Sequence, residues 1–107
     1  MIPCRDVTPN LPVNVNIAES QDEYQTLHAH YTKGPHGAMC FAVELSDLEL
    51  AQLQSSKRLY VNVLTFNNPM QPLLITPDPG VAEEIAREYE EEALLYENSR
   101  NNNTGRN

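Results

Sequence analysis

The chain has 107 residues, 40% hydrophobic and 21% charged, with a formal net charge of −8. That length suits one domain with one core, and the composition is neither that of a disordered chain nor that of a disulfide scaffold. Only seven Lys and Arg residues are present, too few for the clustered basic surface that binding a nucleic-acid backbone demands.

The apolar runs 38–43 and 59–64 fall well short of the roughly 20 residues that cross a bilayer, so no membrane contact is expected. Met1-Ile2-Pro3-Cys4-Arg5 carries no export pattern, which makes a cytosolic location the expectation. Cys4 and Cys40 lack CxxC spacing and are expected as free thiols, Cys40 in the core.

Residues 3–12 contain three prolines and read as an extended surface arm. Val13, Val15 and Ile17 alternate with polar neighbours, which predicts a first strand. Residues 23–32 alternate again, Leu27, Ala29 and Tyr31 on one side and Tyr24, Thr26, His28 and His30 on the other, which predicts a second strand without saying which side is buried. After the turn-forming Lys33-Gly34-Pro35-His36-Gly37, the run 38–43 predicts a central strand buried on both faces.

Ser46-Asp47-Leu48-Glu49 is a capping box, in which the Ser hydroxyl and the Glu carboxylate each satisfy a free amide at a helix start. A short helix should follow and end near Lys57. Residues 58–66 are β-branched and aromatic, with Leu59, Val61, Val63 and Thr65 alternating against Tyr60, Asn62, Leu64 and Phe66, and predict the strongest strand of the fold. Asn67-Asn68-Pro69-Met70 is turn chemistry, and residues 72–76, flanked by prolines, predict a short edge strand.

Asp78-Pro79 places an N-cap before a proline at the first helical position. Ala82, Ile85, Ala86, Tyr89, Ala93 and Tyr96 then share one face of a terminal helix to about Glu97, while Glu83, Glu84, Glu88, Glu90, Glu91 and Glu92 are expected on the solvated face. Residues 98–107 are polar and Asn-rich and predict a disordered tail after a single domain over 1–97. The fold class is therefore α+β: a mostly antiparallel sheet of four to five strands with a short helix and a C-terminal amphipathic helix.

No phosphate-binding loop, zincin motif or structural-zinc spacing occurs. Cys40 lies in an apolar run and Ser46 is used as a cap, so no catalytic residue, cofactor or metal is expected. His28 and His30 share a strand face and could present two metal ligands, but two histidines on one face of an antiparallel strand are an ordinary occurrence, and that reading leads. Arg58, Lys33, Tyr60, Tyr31, His28, His30 and Asn67 supply the cations, aromatic faces and amides that hold the phosphate and base of a nucleotide, and are the candidate ligand-binding residues.

Within residues 37–77, Glu44-Leu45-Ser46-Asp47, Leu48-Glu49-Leu50-Ala51, Arg58-Leu59-Tyr60-Val61, Leu64-Thr65-Phe66 and Pro69-Met70-Gln71-Pro72 resemble a type of small bacteriophage accessory protein. The resemblance covers under half the chain and assigns no binding residue by position. Proteins of that guild include inhibitors of bacterial immunity, some sequestering nucleotide signals and others covering an immune protein. The resemblance thus implies a non-enzymatic, anti-defence binding protein in the host-cell cytoplasm, taking a small nucleotide immune signal. An alternative is an acidic inhibitor of a host immune protein, mimicking nucleic acid through the glutamate-rich helix; a ligand-free structural role is a third. A homo-oligomer is expected, with Tyr89, Leu94, Leu95 and Tyr96 available to pair the terminal helices of two copies.

Overall fold

The computed structural model describes residues 1–20 and 25–104, with side chains through Arg100. Five short strands and two helices follow in order: β1 (Ile2–Pro3), β2 (Val15–Ile17), β3 (Leu27–Thr32), β4 (Ala38–Phe41), β5 (Val43–Glu44), α1 (Asp47–Ser56) and α2 (Pro79–Thr104). The fold is α+β and every strand pairing is antiparallel. The strands form two sheets, one of β1 with β5 and one ordered β2-β3-β4.

The register assigns each side chain a face. Val15 lies opposite Ala29 and Ile17 opposite Leu27, while Ala29 pairs with Phe41 and Tyr31 with Met39. Opposed residues in an antiparallel pair project to the same side, so Val15, Ile17, Leu27, Ala29, Tyr31, Met39 and Phe41 share one face. His28, His30, Thr32, Ala38 and Cys40 share the other, which α2 covers through its packing on β3 and β4.

The helix side is therefore rich in polar groups, and they are paired. His30 is buried, its Nδ1 donating to the Pro12 carbonyl at 2.8 Å while its Nε2 lies 3.1 Å from Glu90 Oε1. Thr8 Oγ1 and the Asn10 side-chain amide both donate to Glu83, which ties the N-terminal arm to α2. The β3–β4 loop grips the same helix farther along: His36 bonds Glu92 at 2.7 Å and meets the Tyr89 ring edge to face, and Gly34 abuts Ala93.

Two expectations are corrected here. Glu83 and Glu92 do not belong to a solvated acidic face, because each is half-buried and bonds the arm or the β3–β4 loop, whereas Glu90 stays exposed as it reaches the buried His30. Residues 38–44 make two pieces, and β3 rather than β4 is central, leaving Met39 and Phe41 exposed and Cys40 half-buried.

Both helix starts follow their local chemistry. Ser46 accepts from the Glu49 amide at 3.2 Å while Glu49 Oε1 accepts from the Ser46 amide at 3.0 Å, completing the capping box. Asp78 Oδ1 accepts from the Gly80 amide at 2.8 Å ahead of Pro79. Lys57 closes α1 in the left-handed conformation, φ 55°, with its amide on the Leu53 carbonyl. The terminal helix continues through Thr104, past Glu97 where its apolar periodicity ends.

The largest departure lies between the helices. Residues 58–66 and 72–76, expected as strands, pair with nothing among the described residues. The amides and carbonyls of 59–64 enter no backbone hydrogen bond there, and the chain turns at Phe66 and Asn67, both at positive φ. Tyr24, expected within the second strand, lies outside the described residues.

Candidate functional site

The seven candidate ligand residues divide among separate places. His30 is buried beneath α2, while His28, on the same sheet face, is half-buried and its Nδ1 bonds the Asn16 side-chain carbonyl at 2.7 Å. Tyr31 projects from the opposite sheet face. Lys33 follows the end of β3, and Asn67 occupies the turn that the Asn68 amide closes onto the Thr65 carbonyl. Only Arg58 and Tyr60 come together: two residues apart, they line one shallow hollow of about 560 Å³.

That hollow is built from α1 and the segment leaving it. Glu49, Gln52, Leu53 and Ser56 recur at i, i+3, i+4 and i+7, a spacing that aligns them on one side of the helix, and all four line it with Ser55, Arg58 and Tyr60. The Ser56 hydroxyl accepts from the Arg58 amide at 3.2 Å, which sets the chain direction beyond the helix cap. The Arg58 guanidinium makes no ion pair among the described residues. Tyr60 is 76% exposed and free to stack. The helical spacing of Glu49, Gln52 and Ser56 was the sequence signal for this wall, although these residues are not obvious ligand groups on their own.

The electrostatics at this site are set by Glu49. Its carboxylate accepts from the Met1 ammonium, the largest influence, and from the Ser46 amide, which together lower its pKa from 4.5 to about 2. Glu83 is shifted the same way, chiefly by the Thr8 hydroxyl and then by Asn10. A carboxylate whose folded pKa is depressed stabilises the fold above its ordinary pKa and loses that contribution as pH falls toward the folded value. The capping box and the Met1 tie should therefore weaken between about pH 4.5 and pH 2. Carboxyl-detected NMR titration should place the Glu49 midpoint near 2; a midpoint in the ordinary glutamate range would show that Met1 is not held there.

The thiols of Cys4 and Cys40 are both shifted upward, mainly by burial, which disfavours the nucleophilic thiolate. Among the described residues no three His, Cys, Asp or Glu side chains gather at metal-binding geometry. No helix among them is long and apolar enough to cross a membrane.

Glu84, Glu88 and Glu91 make a second feature. Spaced by four and then three residues, they lie along one outward stripe of α2, and all three are exposed with no bonded partner among the described residues.

The α+β arrangement defines the chain only at the level of fold class. No protein-family model matches it, nor does any curated protein or solved structure.

Proposed function

We propose that the protein is a non-enzymatic binder that sequesters a small nucleotide signal, consistent with an anti-defence role for a phage accessory protein in the host cytoplasm. The observation that carries this reading is the hollow beside α1, where the Arg58 guanidinium, without an ion pair among the described residues, and the exposed Tyr60 ring line the same surface. A guanidinium engages phosphate through two parallel hydrogen bonds, and an aromatic face stacks on a base. The Ser55 and Ser56 hydroxyls offer further donors at the same surface. Lys33, His28, His30, Tyr31 and Asn67 lie outside this hollow, so the proposed site of one chain rests on Arg58 and Tyr60.

Calorimetric titration with a panel of linear and cyclic nucleotides tests the reading. One nucleotide should bind, and Arg58→Ala should weaken it by about 10- to 100-fold, the cost of losing a charged hydrogen-bonding group of ~1.5–3 kcal/mol. Binding that survives both Arg58→Ala and Tyr60→Ala would exclude this hollow. No binding to any nucleotide would remove the ligand class.

The outward stripe of Glu84, Glu88 and Glu91 favours a second reading, an inhibitor that covers a basic surface of a host immune protein. That association should fall steeply with salt. Replacing the three glutamates with glutamine should abolish it while leaving nucleotide titrations unchanged.

A further inference from the structure

A single copy leaves far more surface uncovered than its size requires. A compact monomer of 12.1 kDa exposes about 6,000 Å² by the usual scaling of area with mass, whereas this chain exposes 9185 Å². Its radius of gyration is 17.1 Å, against about 13 Å for a compact domain of this length. Leu11, Ala29 and Ala86 are the only hydrophobic residues that are fully buried among those described.

The uncovered surface has two complementary parts. One is the sheet face carrying Tyr31, Met39 and Phe41, exposed by 39%, 46% and 49%. The other is segment 59–64, which has the alternation of a strand and whose amides and carbonyls make no backbone hydrogen bond among the described residues. Six residues is an ordinary strand length, and among the described residues β2 and β4 each keep one edge without a strand neighbour, the usual template for an added strand.

We propose that the occupant is a second copy of this chain. Segment 59–64 of each copy pairs with a sheet edge of the other, and Leu59, Val61 and Val63 extend the apolar face of the partner's sheet. Two arguments select a copy over an unrelated protein. Residues 59–77 contain no charged side chain in a chain of net charge −8, so two copies can meet there without bringing their acidic groups together and no basic partner is called for. The excess of about 3,000 Å² per chain is enough for an extensive obligate interface, which buries about 2,000–5,000 Å² in total. The inference does not depend on the nucleotide reading.

The test is analytical ultracentrifugation of the full chain combined with hydrogen exchange. The protein should sediment as a dimer or a larger closed assembly, with amides 59–64 exchanging at least about 100-fold more slowly than in an unpaired segment. Val61→Glu with Val63→Glu should give a monomer that retains the far-ultraviolet helix signal, since both side chains are already half exposed in one copy. If that variant fails to fold, the exchange pattern of the native protein decides. A native monomer, or an assembly in which 59–64 exchange freely, overturns the proposal. Nucleotide binding by a monomer would overturn it while leaving the functional reading intact.

Discussion

Gly34→Ala should destabilise the fold by about 3 kcal/mol, through backbone strain of ~1–3 kcal/mol and overpacking of similar size. Gly34 has φ +138°, a region L-residues rarely enter, and an added Cβ would lie 3.1 Å from the Ala93 Cβ and 3.3 Å from its Cα. The β3–β4 loop cannot yield easily, because His36 fastens it to Glu92 and packs it against Tyr89. For a domain of this size, that loss should lower Tm by more than about 12 °C. Calorimetry of Gly34→Ala, Ala93→Gly and the double variant separates the causes: relief in the double variant measures the steric contact, and what remains is backbone strain. A wild-type Tm for Gly34→Ala would mean that the loop does not clasp α2.

Ala86→Asp should cost about 3 kcal/mol or more, the range for a buried charge left without a partner. Ala86 is 4% exposed on the inner side of α2. Glu83 and Glu90, three residues before and four after it, share that side and would repel a new carboxylate. Burial and repulsion both raise the folded pKa of the introduced group, so the deficit should be greatest at neutral pH and shrink on acidification. Urea titrations at neutral and mildly acidic pH measure this difference, with Ala86→Gly as a helix-propensity control worth about 1 kcal/mol. An unchanged midpoint for Ala86→Asp would show that this face of α2 is not docked.

Elements governed by neighbouring residues were legible in the sequence. Ser46 with Glu49 marked the start of α1, and Asp78-Pro79 marked that of α2, because a cap is a hydrogen bond across two or three residues. The alternation in Val15–Ile17 and Leu27–Thr32 likewise gave strands with the right residues sharing faces. Alternation does not say which face a helix will cover, and the histidine side of β3 lay inward because Pro12 and Glu90 supply acceptors for His30. Nor does it supply a neighbour: 59–64 has a strong strand pattern, yet no strand among the described residues lies beside it.

The candidate site was legible only where spacing implied proximity. Arg58 and Tyr60 are two residues apart and line the same hollow. Lys33, Tyr31 and Asn67 were grouped by chemistry alone, and the chain path places them on a loop, a sheet face and a distant turn. Glu83, Glu90 and Glu92 looked like a charge run, although the polar groups bonded to them are 56–75 residues away in sequence.

The two faces of the β2-β3-β4 sheet should respond to different physical conditions. The helix side is tied to the arm through Glu83, whose pKa is lowered by Thr8 and Asn10, so acid loosens that tie. The opposite side is apolar, and the burial of apolar surface weakens on cooling. Low temperature at neutral pH would therefore loosen apolar packing on the side of Met39 and Phe41 before α2 is released, whereas warmth and acid together would release the helix first.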